Sequence, residues 1–323
     1  MKVLILGASG LLGHNVTLQL QHSHHEVVVV IRNKDNFQIQ ESYLKIINGE
    51  LTLDVLNTAA KGCDAIINCA GTTDMSLLHQ QDYMTINRDL CTLLITVMQT
   101  NNITRLVHVS TANTIGFGSK KEPSNESCPI SYPFSESWYA QSKLEGENIL
   151  KHAAQKHPTW HIIITNPGFM IGKYDLKPSS GKLLFAAYHK PIMMTPKGGK
   201  NFVAIEDVAT AIVNGLTMGN SGETYLLTNE SLTLKKFYQL QSKLMNYHQL
   251  IIQIPNWICK LLGIIGDGIR LLNIKTQLST RNINQLLITE YYNNQKAINE
   301  LKMPQTPISK AIIDFYEWQF LKK

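Results

Sequence analysis

The chain has 323 residues, 44% of them hydrophobic and 17% charged, which suits one large α/β domain or two closely joined ones and excludes a disordered or fibrous chain. Thirty basic against 24 acidic residues give a formal net charge of +6, but they are scattered and no run forms a nucleic-acid-binding arm. Five cysteines (Cys63, Cys69, Cys91, Cys128, Cys259) hold no Cys-x-x-Cys pair, which points to free thiols in a reducing compartment, the cytoplasm, rather than to disulfides or a metal site.

The first predicted strand starts at Lys2, leaving no room for a secretory signal. Val3 to Leu6 are four consecutive apolar residues, two of them β-branched, as expected of a strand buried on both faces of a parallel sheet. Gly7, Gly10 and Gly13 follow at once, with Ser9 before the middle glycine. Such a turn lets a phosphate approach bare backbone: Gly7 and Gly10 permit the bend and the approach, and Gly13 lets the next helix pack close. The free N–H groups at that helix start, Leu11 and Leu12 among them, would hold the anion. The spacing differs from the G-x-G-x-x-G fingerprint, so the case rests on context.

A helix through about Gln21 leads to a His22-Ser23-His24-His25 connection and a second strand over Val27 to Ile31. The histidines have only Glu26 as a neighbouring carboxylate and read as a solvated loop. At the tip of this strand an acidic residue holds a ribose 2′-OH, whereas an arginine accommodates a 2′-phosphate. Here Ile31 is followed by Arg32-Asn33-Lys34, so NADP(H) is favoured, with NAD(H) as the alternative. Two competing accounts stay open: Arg32 as a plain surface residue, and Asp35 as a ribose ligand further into the loop.

Leu44 to Ile47 reads as a third strand, Leu53 to Lys61 as a helix, and Cys63 to Gly71 as a fourth strand ending in the small residues Cys69, Ala70 and Gly71. Small residues at this edge let a ligand pass close to the backbone. Asn87 to Gln99 is the expected crossover helix and Arg105 to Ser110 the fifth strand. Strands and helices alternating at this pitch imply a Rossmann-type, right-handed doubly wound parallel sheet. Downstream, Tyr139 and Lys143 stand four apart in a helix-favouring run and so share one face. With 12 tyrosines, about one Tyr-x-x-x-Lys arises by chance, and a second pair, Tyr292 and Lys296, reads as the decoy. A sixth strand runs from Trp160 to Thr165, followed by Pro167-Gly168.

These residues in this order resemble the extended short-chain dehydrogenase/reductase superfamily, the NAD-dependent epimerase/dehydratase family, over nearly the whole chain. Further matches are Gly49-Glu50-Leu51 at the adenine site, Cys69-Ala70-Gly71, Asn87, and Asn166 to Gly172. Val30-Ile31-Arg32 and the Gly172 to Gly181 segment are most similar to the dihydroflavonol-reductase-like and 3β-hydroxysteroid-dehydrogenase-like branch. The family usually has Asp where Glu50 stands, and an Asp-Glu pair is missing after Thr111, which disfavours sugar-nucleotide dehydration.

The resemblance implies reduction of a carbonyl. Tyr139 would donate the proton, Lys143 would favour the tyrosinate and bind the nicotinamide ribose, and Thr111 would hold the substrate oxygen, a role Ser110 could exchange. Pro167 and Gly168 would pass near the nicotinamide amide. Residues 1–168 form the expected cofactor domain, with strands near 202–205 and 222–228 returning to its sheet. Residues 169–323 form a smaller, mainly helical substrate lobe, loop-rich from Lys173 to Lys200.

Substrate candidates are Thr72, Thr73, Phe169, Met170, Tyr174 and Met193, whose apolar members fit core packing equally well; Lys173, Lys177 or Lys182 would suit a diphosphate. A small-molecule substrate is the expected partner, with a homodimer left open and neither nucleic acid nor an integral membrane span expected. The stretch 251–273 is broken by Pro255, Lys260, Asp267 and Arg270, short of the ~18 apolar residues a span needs, and reads as a buried helix rather than a peripheral membrane one. The rival functions are a nucleotide-sugar epimerase with tightly held NAD and a non-catalytic NAD(P)-binding regulatory protein.

Overall fold

The computed structural model describes residues 1–32, 37, 39, 43–175 and 180–321. Seven parallel strands form the central sheet: β1 (Lys2–Leu6), β2 (Glu26–Ile31), β3 (Leu44–Asn48), β4 (Ala65–Asn68), β5 (Arg105–Val109), β6 (His161–Pro167) and, later in the chain, Thr224–Leu227, in the spatial order last strand, β6, β5, β4, β1, β2, β3. The order reverses direction between β1 and β4. That reversal opens a crevice at the carboxyl ends of these two strands, where doubly wound sheets bind ligands.

Strand alternation assigns each side chain of β1 to one of two cores. Val3 and Ile5 pack with Val16 and Leu20 of α1 (Leu11–His22), whereas Leu4 and Leu6 pack with Leu56 of α2 (Leu53–Ala60) and the helices beyond it. All four are fully buried, and each such side chain contributes about 1.5–3 kcal/mol. A short helix, α3 (Gln80–Met84), leads into α4 (Leu90–Asn101), and α5 (Trp138–Lys156) follows β5. Leu94 of α4 and Leu150 of α5 complete the second layer.

After β6 the chain enters β7 (Phe169–Ile171), α6 (Gly181–Ala187), β8 (Ile192–Thr195), β9 (Gly199–Ala204) and α7 (Ile205–Asn214). The segment expected to be loop therefore holds a helix and a strand. The strand near 202–205 was expected in the main sheet; it is β9, and it sits instead between β7 and β11 (Glu230–Thr233) in a separate three-stranded sheet. Its side chains show why periodicity could not tell. Val203 faces the central core and Phe202 and Ala204 face the lobe core, so the strand is buried on both sides wherever it pairs. Thr224–Leu227, now β10, pairs with β6.

The rest of the chain is α8 (Leu234–Leu244), β12 (Leu250–Gln253), α9 (Asn256–Leu271), α10 (Thr280–Leu286), α11 (Gln295–Glu300) and α12 (Ile308–Leu321), with β12 pairing β8 in parallel. Helix α9 departs from the buried helix expected. Only Cys259, Gly263 and Gly266 are buried. A Cβ at Gly263 would lie 3.0 Å from the Thr280 Cα, and one at Gly266 2.3 Å from the Leu278 carbonyl oxygen. The contact with α10 admits only small residues, and the bulky apolar ones face outward.

Candidate active site

The glycine turn is built by steric necessity at two positions and left open at the third. Gly7 has φ +79°, and a Cβ there would stand 2.6 Å from the Ala70 nitrogen; at Gly13 it would stand 2.2 Å from the Gly7 carbonyl oxygen. At exposed Gly10 the Cβ would meet only the Gly7 oxygen, at 3.4 Å. The protein itself does not require glycine at Gly10, and its absence of a side chain leaves the backbone open to close approach. Gly10 is also the N-cap of α1 and no side chain caps that helix, so the first-turn N–H groups of Leu11, Leu12 and Gly13 have no side-chain acceptor there. The residues fit a dinucleotide pyrophosphate.

Arg32 is exposed immediately after β2, on the strand edge that carries the glycine turn, since Leu6 pairs with Val30. Asn33, Lys34 and Asp35 lie outside the described residues. Exposed Glu50 follows β3, and Leu51 packs partly against the core. Buried Ala70, with Cys69 and Gly71, borders the crevice after β4. Burial pushes the Cys69 thiol up to about 12, with Lys143 opposing, so it is no thiolate nucleophile at neutral pH.

Helix α5 carries the chemistry. Ser137 caps it by accepting from the Ala140 N–H. Tyr139 and Lys143 then project one turn apart. The Tyr139 hydroxyl faces the Thr111 side chain, and burial raises its pKa against that contact. Lys143 is 4% exposed and donates from Nζ to the Val109 carbonyl at 2.9 Å. A Cβ at Gly71 would stand 2.8 Å from that Nζ, so the glycine opens the space the ammonium occupies. Burial lowers the Lys143 pKa. The expected lowering of Tyr139 by Lys143 is not what the structure shows: desolvation dominates at both groups, and the ammonium is turned to a backbone carbonyl.

Ser110 and Thr111 separate cleanly. The Ser110 hydroxyl donates to the buried Glu147 carboxylate at 2.5 Å, whereas Thr111 meets Tyr139. Glu147 also accepts from Thr114 at 2.7 Å and from the Asn166 amide at 2.8 Å, and Asn166 reaches the Thr111 carbonyl at 3.1 Å. The sequence reading gave Glu147 no role, although it stands four residues beyond Lys143 on the same face. The crossover helix begins not at Asn87 but with a π-helical turn, Thr85–Asp89, that sets buried Asn87 inward. Asn87 accepts from the Thr72 N–H at 3.0 Å and donates to the Ser142 hydroxyl at 2.9 Å. It thereby ties the strand-four loop to α5.

The other sequence candidates scatter. Buried Pro167 ends β6, and a Cβ at Gly168 would stand 2.7 Å from the Asn201 carbonyl oxygen, which is a packing reason for that glycine. Phe169 packs edge-on to Phe202, and Met193 lies against the lobe core. Met170 packs on the central core. Tyr174 stacks on His14 at 4.8 Å and tilts against Trp318 at 5.5 Å. Thr73 is exposed on the loop after Gly71. Lys173 reaches Asp314 at 3.7 Å; Lys177 and the 176–179 part of the branch motif lie outside the described residues. Tyr292 is buried against the Ala112 carbonyl ahead of α11, so it shares no helix face with Lys296.

A narrow slot beside Tyr139 is closed by α9 and α10. Arg281 stacks over the Trp138 ring at 3.7 Å. Arg270 donates to the carbonyls of Thr276 (2.9 Å), Ser76 (3.3 Å) and Leu77, holding the loop that contributes Met75 to the slot. Nothing local in the sequence pairs residues so far apart.

A seven-stranded doubly wound sheet, a glycine turn at its switch point and a Thr-Tyr-Lys cluster at its carboxyl edge define a Rossmann-type nucleotide-binding protein of the short-chain dehydrogenase/reductase class. A family profile for the NAD-dependent epimerase/dehydratase family matches residues 3–228, and the chain belongs to that family. It is 23% identical to a putative dihydroflavonol 4-reductase from Synechocystis over 97% of this chain and 93% of that protein. A sterol-4-alpha-carboxylate 3-dehydrogenase, decarboxylating, from Dictyostelium discoideum is 23% identical over 73% of this chain and 74% of its own length. These relatives agree with the branch the motifs resemble. The structure of a UDP-glucuronic acid 4-epimerase mutant from Bacillus cereus, in complex with UDP-4-deoxy-4-fluoro-glucuronic acid and NAD, shares the fold with a TM-score of 0.78, 17% identity and 100% coverage of both chains.

Proposed function

We propose that this protein is an NADP(H)-dependent oxidoreductase that reduces a carbonyl, or oxidises the matching alcohol, of a small organic substrate. The observation that carries the proposal is the Tyr139 hydroxyl facing Thr111, one helical turn from buried Lys143, whose ammonium occupies the space that Gly71 leaves open. In this reading residues 1–168 hold the cofactor and residues 169–323 the substrate, in the cytoplasm. Gly7, Gly10 and the start of α1 hold the pyrophosphate, Arg32 the 2′-phosphate, Glu50 and Leu51 the adenosine end, and Lys143 the nicotinamide ribose.

The nicotinamide supplies the hydride when bound. Tyr139, kept neutral by burial, gives its proton to the substrate oxygen as negative charge develops there. Thr111 fixes that oxygen beside the phenol. Glu147 and Asn166 act on Thr111 through the backbone and hold it in place. The name of the Synechocystis relative supports a reductase, and Arg32 in place of an acid supports NADP(H) over NAD(H).

The test is a parallel titration of the purified protein with NADPH and NADH. Tighter NADPH binding, lost in Arg32→Ala, is expected. Equal or weaker NADPH binding removes the role of Arg32, and NAD that copurifies with the protein favours the epimerase reading instead.

A further inference from the structure

We infer that α9 and the exposed face of the β8–β12 pair form a docking surface for an anionic lipid bilayer, on which the protein lies without crossing it. The helix is amphipathic in an unusual sense: its small residues face the protein and its large ones face out. Trp257 is 67% exposed and Leu271 85%, with Leu261, Ile264, Ile265 and Leu272 also exposed. The bulky residues cannot turn inward, because the glycine contacts with Thr280 and Leu278 leave no volume for them.

A second apolar patch adjoins the start of the helix. Leu250 pairs with Ile192 and Ile252 with Met194 in register, and all four are exposed. Strand β12 ends at Gln253 and α9 begins at Asn256, so the two patches meet at one corner. Contiguous apolar surface of this extent marks an interaction site.

Charge selects the occupant. Residues 188–198 and 248–289 expose Lys190, Lys197, Lys260 and Lys275, while Arg270 and Arg281 turn to the slot; the one acid there, Asp267, accepts from the Thr280 N–H at 3.2 Å. A basic face opposing itself in a second copy would be repelled, whereas anionic headgroups attract it. An exposed tryptophan at one end and lysines beside an apolar stripe are what an interfacial helix requires. Among the described residues no helix is long and apolar enough to cross a membrane, and α9 has 16 residues against the ~20 of a span. Arg270 on the same helix holds the 75–77 loop beside Tyr139, so the docking face and the slot share one element.

The test is co-sedimentation of the full chain with vesicles of phosphatidylcholine alone and of equal parts phosphatidylcholine and phosphatidylglycerol, with tryptophan emission followed in parallel. The inference predicts binding to the mixed vesicles that high salt weakens, with a blue shift absent in Trp257→Phe. Ile264→Glu with Leu271→Glu, or Lys260→Glu with Lys275→Glu, should lower partitioning by about tenfold or more while the thermal midpoint holds. If either pair fails to fold, the wild-type comparison of the two vesicle types and the Trp257 shift still decide. No binding to either vesicle, equal binding to both, or a dimer in sedimentation equilibrium that Ile264→Glu with Leu271→Glu dissociates would each overturn it.

Discussion

Adjacent hydroxyls at Ser110 and Thr111 look interchangeable in a sequence, and their partners make them opposite tests. Thr111→Val should lower turnover about 10–100-fold because it loses the contact to Tyr139, with only a small drop in thermal midpoint from the bond its hydroxyl accepts from the Asn113 N–H at 3.3 Å. Ser110→Ala should keep the Thr111–Tyr139 contact but cost about 1.5–3 kcal/mol of stability, since a buried carboxylate loses a donor. Chemical denaturation and steady-state kinetics on both variants separate the roles. The reverse pattern would mean that Ser110 faces the substrate.

His108 supplies a pH prediction. Asn68 accepts from the Ala70 N–H at 3.1 Å, which turns its amide donor toward His108 Nδ1, also at 3.1 Å. That nitrogen must stay unprotonated to accept. Burial holds the His108 pKa well below its ordinary 6.5. The unfolded chain therefore binds the proton first: the stabilising contribution is full above about pH 6.5 and is lost as pH falls toward the folded-state value. Thermal midpoints measured from pH 8 to 5 should decline below 6.5, and His108→Gln should flatten that slope. The Tyr139–Lys143 pair was legible because four-residue spacing survives on any helix; the ring of Glu147, Asn166 and Thr114 was not, because it joins segments distant in sequence.

At the scale of elements, the turn between β1 and α1 gives a contrast within one motif. Gly13→Ala drives a methyl into the Gly7 carbonyl and should destabilise the protein by about 3 kcal/mol or more. Gly10→Ala has room in the protein, so its thermal midpoint should hold while NADPH binding weakens at least several-fold. Loss of stability with intact binding in Gly10→Ala would show the glycine to be structural. These glycines declared themselves in the sequence because the constraint is local. The π-turn at Asn87 did not, since the apolar pattern of the following helix is the same in either register. The orientation of α9 was hidden for a related reason: hydrophobicity suggests which residues turn inward, but here the glycine contact decides.

Over the whole molecule, the succession of the first six strands was readable because each is a short apolar run, and parallel strands need crossovers between them. Beyond Pro167 that regularity ends. The β7–β9–β11 sheet stitches the lobe to the central core through β9, which is buried on both faces, and its own pattern does not distinguish this sheet from the other. The site lies between the two parts. The sheet carries the glycine turn and α5, while α9 and α10 close the slot over Tyr139.

The account as a whole turns on Tyr139 as the proton donor in an NADPH-linked reduction. NADPH consumption should be followed at neutral pH across a panel of aldehydes and ketones, for the wild type and for Tyr139→Phe at equal cofactor occupancy. The account predicts wild-type turnover on at least one carbonyl and a loss of about 10²–10⁴-fold in the variant, with NADPH binding intact. An undiminished rate in Tyr139→Phe would contradict it.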